Sequence, residues 1–248
     1  PYYQCRLKTA SGSIIFERKI VADRNNTLVF ETFNNGDVVY TNWVCENIDL
    51  GKDKLWELLL EFPSIQFGVE MAFQSLESNN PFELFPSEFT NSQKSITING
   101  LVWMGEELFM KQQIQDKLEQ GFHCIKLKIG AIDFQKELDL LGYIRHNFDE
   151  KTIEIRVDAN GAFDEINALD KLNQLSEYKL HSIEQPIAKN HTDTMSFLVK
   201  NTPIPIALDE ELIGVFSTQE KEELLKKIQP QYIILKPSLV GGFRSTQE

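Results

Sequence analysis

The sequence has 248 residues, 42% of them apolar, which is enough for one large domain or for a large and a small one. Its 25 basic and 37 acidic residues give a formal net charge of −12, which argues against a surface for nucleic acid or for anionic membranes. Three widely spaced cysteines and no apolar run of membrane-spanning length favour a globular protein of the reducing cytoplasm.

The first 95 residues predict a small α+β domain. β-Favouring runs alternate with turn signals rich in Asn and Gly, a pattern that indicates an antiparallel sheet. These runs cover residues 2–7, 13–16, 27–33 and 37–44. Helical patterns follow over residues 52–62 and 64–76, and residues 77–95, with several Asn, Ser and Pro, indicate a linker.

From residue 96, predicted strands and helices alternate, which favours a parallel sheet. A first strand is expected over residues 96–104. Five later apolar runs, each ending on a charged residue, cover residues 123–128, 153–158, 181–184, 205–209 and 231–236. The charges at 158, 184, 209 and 236 are separated by 26, 25 and 27 residues, about the length of one strand, one helix and two short loops. The pattern predicts a (β/α) barrel of the TIM type over residues 96–248.

The helices between these strands are also predicted. They are expected over residues 111–120, after Asp133, after Asp164, and over residues 192–200 and 218–228. Asp133 and Asp164 are predicted to cap the helices that follow them, and Ile166 is expected on the core side of its helix.

The predicted barrel is incomplete. Six strands are expected, and 248 − 236 leaves only 12 residues after Lys236. A barrel of eight strands typically needs about 250 residues, whereas residues 96–248 number 153. An open barrel would expose the edge of its sixth strand. We therefore expect the last two strands to be missing and the chain to be a fragment.

Carboxylates at the ends of three neighbouring strands predict a metal site. Side chains alternate faces along a strand, and this parity places Asp158, Glu184 and Asp209 on the inward face. Three like charges so close would raise one another's pKa unless a cation lay among them. Oxygen ligands suit Mg²⁺, or Mn²⁺, better than zinc. Taken singly, each carboxylate could instead cap a helix or form a surface ion pair.

Lysines on the same face predict proton-transfer chemistry. Lys126 and Lys128 share the inward face, and each disfavours protonation of the other, which could lower a lysine pKa enough for it to act as a base. Lys236, on the sixth of eight strands, would approach from the opposite side. This arrangement suits removal of a proton next to a carboxylate, with the metal stabilising the enediolate. The alternative is that these lysines only extend to the barrel mouth.

Two nearby features are less specific. Glu210 and Glu211 follow Asp209, and parity points Glu210 away from the inward face and places Glu211 beyond the strand. Gly241-Gly242 could form a simple turn or an anion-binding loop.

Five motifs, in order and spacing, resemble those of the enolase superfamily and, within it, of the o-succinylbenzoate synthases. They are Lys126-Leu-Lys128, Val157-Asp-Ala-Asn-Gly161, Ser182-Ile-Glu-Gln-Pro186, Leu208-Asp-Glu-Glu-Leu212 and Ile234-Leu-Lys-Pro-Ser-Leu-Val-Gly-Gly242. The resemblance extends from about residue 64 to residue 248, and it implies that the small domain caps the barrel.

The resemblance also implies residue roles. Lys128 would remove the proton next to the carboxylate of 2-succinyl-6-hydroxy-2,4-cyclohexadiene-1-carboxylate and return it to the departing hydroxyl, while Lys236 stays protonated. Mg²⁺ on the three carboxylates would hold the enediolate. Lys126 would support catalysis, and the expected substrate-binding residues are Arg156, Asn160, Ser238 and Gly241.

Two other functions remain open. A pair of lysines on opposite faces also suits an N-acylamino-acid racemase or a dipeptide epimerase, in which one lysine removes the proton and the other returns it. A non-catalytic or truncated, inactive barrel is the alternative of another class. In every enzymatic case the partner is a small carboxylate, and the sequence leaves the oligomeric state undetermined.

Overall fold

A computed structural model describes residues 2–8, 14–21, 43–44 and 46–248 of the chain. The strands are β1 (Tyr2–Lys8), β2 (Ile14–Val21), β3 (Gly100–Val102), β4 (Cys124–Lys128), β5 (Glu154–Asp158), β6 (Ser182–Glu184), β7 (Ile206–Leu208) and β8 (Tyr232–Ile233). The helices are α1 (Gly51–Leu58), α2 (Pro63–Glu77), α3 (Glu107–Glu119), α4 (Phe134–Asn147), α5 (Ala168–Ser176), α6 (Thr192–Asn201), α7 (Thr218–Ile228), α8 (Pro237–Val240) and α9 (Gly242–Gln247), with 3-10 helices at Ile48–Leu50 and Glu210–Leu212.

The chain divides into two compact units. The first comprises the described part of Pro1–Ser95 together with Phe216–Thr218 and Lys236–Glu248. The second comprises Ile96–Val215 and Gln219–Leu235. The sequence placed a boundary at the same point, after residue 95, but it assigned the C-terminal segment to the barrel, whereas contacts assign that segment to the first unit.

The first unit contains a two-stranded antiparallel sheet and paired helices. Strand β1 pairs with β2 from Tyr2 opposite Val21 onward. Helix α2 begins at a proline, a residue whose fixed φ suits the first helical turn. A small apolar core includes Val44, Leu55, Leu59, Val69 and Ala72. The strand predicted over residues 27–33, most of that predicted over 37–44 and the turns beside them lie outside the described residues.

The second unit is built on a six-stranded parallel sheet in the order β3 to β8. Each strand pairs with the next in the chain, and α3 to α7 provide the connections, as in a (β/α) barrel. The incomplete barrel predicted from sequence is thus confirmed. The outward residues of the strands are fully buried against the helices: Ile125, Leu127, Ile155, Val157, Ile183, Ile206 and Leu208. The inward positions are therefore the ones left for polar chemistry.

One of the two predicted helix caps is confirmed. The Asp133 carboxylate accepts hydrogen bonds from the backbone N–H groups of Gln135 at 3.1 Å and Lys136 at 3.4 Å, which caps α4. The prediction for Asp164 is wrong. Its carboxylate accepts from the N–H of Ile166 within a turn, α5 begins at Ala168, and Ile166 is exposed. Asp side chains form such local turns as readily as caps.

Glu137 holds the turn that follows the lysine strand β4. It is buried, and its Oε1 accepts a hydrogen bond of 2.6 Å from the N–H of Gly130. Its Oε2 is buried without a hydrogen-bond partner. Burial raises the pKa of Glu137 above its ordinary value of 4.5, although backbone N–H groups oppose that rise. The folded protein therefore keeps the Glu137 proton to a higher pH than the unfolded chain does.

We expect Glu137 to make stability depend on pH. Because its folded-state pKa is raised, its contribution is greatest below pH 4.5 and declines as pH rises above that value. Glu137→Gln keeps an acceptor for Gly130 but does not titrate, so this part of the pH dependence should vanish. Urea unfolding of both proteins between pH 4.5 and 7.5 measures it. Parallel stability curves for variant and wild type would contradict the assignment.

Candidate active site

Strand register brings four predicted site residues together. Lys128 pairs with Asp158, and Asp158 pairs with Glu184, so the three form one row across the ends of β4, β5 and β6. Lys126 lies two residues before Lys128 on the same face of β4. Because neighbouring parallel strands lie about 4.8 Å apart, side chains in such a row can meet directly.

These side chains form a buried ionic cluster. The Lys126 ammonium lies between two carboxylates: it pairs with Asp158 Oδ2 at 3.0 Å and donates a hydrogen bond to Glu184 Oε2. Lys128 Nζ pairs with the same Asp158 oxygen at 2.5 Å. Asp158 is fully buried and Glu184 is 5% exposed. Charges this poorly solvated are stabilised by one another rather than by water.

The cluster shifts the proton affinities of its members in opposite directions. Burial disfavours the charged form of Asp158, but hydrogen bonding to Lys128 and the charge of Lys126 outweigh burial and hold the pKa of Asp158 below its usual value. Burial, together with the neighbouring Asp158, raises the pKa of Glu184 to about 7, although Lys126 opposes this. Two adjacent carboxylates thus ionise at different pH.

The expected lowering of the lysine pKa is wrong for Lys126. Burial does disfavour its charge, but the hydrogen bond to Glu184 and the charge of Asp158 outweigh burial and raise the pKa of Lys126. The lowered pKa was expected from repulsion between Lys126 and Lys128, whereas Lys126 here contacts two carboxylates directly. In this arrangement Lys126 provides positive charge rather than a base.

Asp209 is buried, but its backbone is not part of this row. Glu184 pairs with Ala207, and Asp209 follows two residues later, after β7 has ended. Within the part of the chain that the structure describes, no three His, Cys, Asp or Glu side chains are grouped to hold a metal ion. The structure thus brings together two of the three predicted metal ligands, and the assignment of all three remains a prediction.

The donor set at this row nevertheless fits a hard cation. Asp158 and Glu184 present carboxylate oxygens side by side, and the Lys126 ammonium already bridges them. The Lys126 ammonium supplies positive charge between the two carboxylates, and a cation bound beside them would be stabilised in the same way. Oxygen donors of this kind suit Mg²⁺.

Asn160 and Glu210 extend the cluster. Lys128 Nζ donates to Asn160 Oδ1 at 2.7 Å, and Asn160 Nδ2 donates to Glu210 Oε1 at 2.9 Å. The outward direction predicted for Glu210 is wrong, because β7 ends at Leu208 and residues 210–212 form a 3-10 helix. An acidic run after a short strand, typical of a first helical turn, was the available signal.

The remaining predicted residues have other surroundings. Arg156 lies on the inward face, where its Nε donates to Glu154 Oε1 at 2.6 Å and its side chain is 42% exposed. Lys236, Ser238 and Gly241 belong to the first unit. There Lys236 precedes α8, and the carbonyl of Ser238 accepts a hydrogen bond from Ser64 at 2.6 Å. Their roles with substrate remain predictions.

The Gly241-Gly242 segment forms the turn between α8 and α9. Gly241 has φ of 101°, and a Cβ at this position would lie 2.7 Å from Gln66 Oε1. Just after the pair, the backbone N–H groups of Phe243 and Arg244 donate to the Glu70 carboxylate, the second at 2.8 Å. The first turn of α9 thus binds a carboxylate of its own unit.

Comparison with known proteins gives consistent matches. A family model described as enolase C-terminal domain-like matches residues 110–248. The chain is 53% identical over 182 residues to the o-succinylbenzoate synthase of Desulfotalea psychrophila, an alignment covering 73% of this chain and 49% of that protein. It is 27% identical over 135 residues to a hydrophobic dipeptide epimerase of Enterococcus faecalis, covering 54% of this chain and 36% of the epimerase.

A solved structure agrees with the sequence matches. The crystal structure of MenC from Desulfotalea psychrophila has a TM-score of 0.69 and 51% identity, and the match covers 75% of this chain and 51% of that one. The chain spans about half the length of these Desulfotalea proteins. Among the described residues, no helix has the length and apolar character needed to cross a membrane.

Proposed function

Because this chain belongs to the enolase C-terminal domain-like family, we propose that it forms part of an o-succinylbenzoate synthase. The reaction is dehydration of 2-succinyl-6-hydroxy-2,4-cyclohexadiene-1-carboxylate to o-succinylbenzoate, a step of menaquinone biosynthesis in the cytoplasm. The observation that carries this proposal is the buried cluster of Lys126, Lys128, Asp158 and Glu184 at the carboxyl ends of three strands. The 53% identity to the Desulfotalea synthase supports the choice of reaction.

Lys128 is the proposed base. Hydrogen bonds to Asp158 and Asn160 fix the position of its Nζ, as a base must be held within reach of the proton it removes. Lys128 takes the proton next to the substrate carboxylate and then returns it to the departing hydroxyl. The products are an aromatic ring and one water. Lys236 is proposed to stay protonated and to stabilise negative charge.

Positive charge is required where the substrate carboxylate binds. Asp158, Glu184 and Asp209 would hold Mg²⁺, which when bound would stabilise the negative charge that develops on that carboxylate. Lys126, paired with two of these carboxylates, keeps them oriented toward the same point. Arg156, Asn160, Ser238 and Gly241 are proposed to contact the substrate.

The direct test is an assay of the full-length protein with the cyclohexadiene carboxylate and Mg²⁺, following the formation of o-succinylbenzoate. We expect turnover that EDTA abolishes and added Mg²⁺ restores. Racemisation of N-acylamino acids or dipeptides without any o-succinylbenzoate would contradict the proposal.

The epimerase alternative rests on the dipeptide epimerase match and predicts a different response at Lys236. Lys236→Arg keeps the positive charge but cannot exchange a proton near neutral pH. A two-base epimerase should lose activity completely, whereas a one-base dehydratase should be impaired only through altered electrostatics. Rates of o-succinylbenzoate formation and of dipeptide epimerisation by the variant distinguish the two enzymes.

A further inference from the structure

Gln185 is a buried side chain whose hydrogen-bonding groups are all used. It has no exposed surface. Its Nε2 donates to the carbonyl of Ile187 and to Glu211 Oε2, both at 3.1 Å. Its Oε1 accepts from the backbone N–H groups of Asp209 at 3.2 Å and Glu211 at 3.3 Å. An amide side chain offers two donors and two acceptor sites, so Gln185 is saturated.

The backbone of Gln185 is strained. Its φ is 38°, in the left-handed region where residues with a Cβ are disfavoured. Such a conformation is disfavoured and persists only where the surroundings enforce it. Glycine would relieve the strain, but it would also remove the four hydrogen bonds that the Gln185 side chain makes.

Gln185 joins three neighbouring strand ends. Its backbone N–H donates to the carbonyl of Ala207 on β7, and its own carbonyl accepts from Gly161 after β5. The Gln185 side chain also accepts hydrogen bonds from the N–H groups of Asp209 and Glu211. These residues lie where the chain leaves β7 and enters the 3-10 helix. Asp209 stands at that exit, and Glu210, which reaches Asn160, follows it.

We propose that Gln185 is a positioning residue that sets the exit turn of β7 and, through it, the direction of the Asp209 carboxylate toward the metal site. This inference rests on the proposed function. Neither glutamate nor asparagine could make the same hydrogen bonds at this position. Glutamate lacks the donors and would face the Glu211 carboxylate, and asparagine is one methylene shorter.

The experiment compares two glycine variants of the full-length protein. Gln185→Gly relieves the strain and removes the side chain. Gln229→Gly is the matched control, because Gln229 also has a positive φ, 58°, but is exposed and lies between α7 and β8. Calorimetric titration gives the Mg²⁺ dissociation constant, and thermal unfolding in EDTA gives the stability without metal. Gln185→Gly should weaken Mg²⁺ binding about 10- to 100-fold, a range typical of residues that orient metal ligands, and the control should bind as wild type.

A second variant tests the inference if Gln185→Gly does not fold. Gln185→Glu keeps the length of the side chain, and weaker Mg²⁺ binding by this variant would support the inference if Gln185→Gly does not fold. A purely structural role would lower the unfolding temperature and leave the dissociation constant unchanged, and that result in a folded Gln185 variant would overturn the inference. Wild-type protein that binds no Mg²⁺ and forms no o-succinylbenzoate would instead contradict the proposed function.

Discussion

Replacing Lys128 with arginine should slow o-succinylbenzoate formation by about 10²- to 10⁴-fold, the usual contribution of a general base. Arginine keeps a positive charge beside Asp158, but its guanidinium does not release a proton at accessible pH. The ion pair that holds Asp158 is therefore largely retained, while the proposed proton acceptor is lost. Rate measurements at saturating substrate and Mg²⁺ test this directly.

The exposed Lys136 on α4 provides the control. Lys136→Arg makes the same chemical change outside the cluster and should turn over as the wild type does. Calorimetry should show that both variants still bind Mg²⁺, which separates loss of the base from loss of the metal site. If Lys128→Arg retained a rate within about tenfold of wild type, the group that removes the proton would have to be another one.

Much of the second unit could be predicted because strand periodicity is local information. A first strand near residues 96–104 and five apolar runs that end on charged residues indicated six parallel strands, and alternation of side chains placed Lys126, Lys128 and Asp158 on one face. The register then brought Asp158 beside Glu184, as expected for carboxylates at the ends of adjacent strands. A buried face constrains register strongly, since a shift of one residue would turn every side chain to the other side.

The prediction failed where strands end. Alternation of faces holds only within a strand, and β7 has three residues. Beyond it the chain enters a 3-10 helix, and Glu210 contacts Asn160, contrary to the direction that alternation predicted. The predicted direction of the Lys126 pKa was wrong for a related reason: the pKa depends on which oxygens the ammonium contacts, and those contacts form only in the folded structure.

The sequence also did not indicate which distant segments of the chain belong to the same unit. Lys236 follows the last strand with the expected spacing, yet contacts place it in the first unit. There the Trp56 indole N–H donates to the carbonyl of Gly241 at 3.2 Å, although 185 residues separate the two. Periodicity within a segment carries no information about such a pairing.

Replacing Asp158 with asparagine should abolish Mg²⁺ binding and also destabilise the protein without metal. The fully buried Asp158 carboxylate neutralises two lysine ammonium groups, at 3.0 and 2.5 Å. Removing one partner of a buried ion pair leaves charge uncompensated and costs about 3–5 kcal/mol. Urea unfolding in EDTA should therefore show a loss of that size, and calorimetry should detect no Mg²⁺ binding.

Asp193→Asn is the matched control for this change. Asp193 also pairs with a lysine, Lys227 at 2.7 Å, but its side chain is 90% exposed. Solvent screens an ion pair of this kind, so the variant should unfold and bind Mg²⁺ as the wild type does. If Asp158→Asn matched the control in stability, the two lysines would be stabilised by solvent or by Glu184 alone. If it still bound Mg²⁺ tightly, the ion would have to lie elsewhere. The stability and metal-binding results therefore test separately whether the charge balance and the metal site both depend on this one carboxylate.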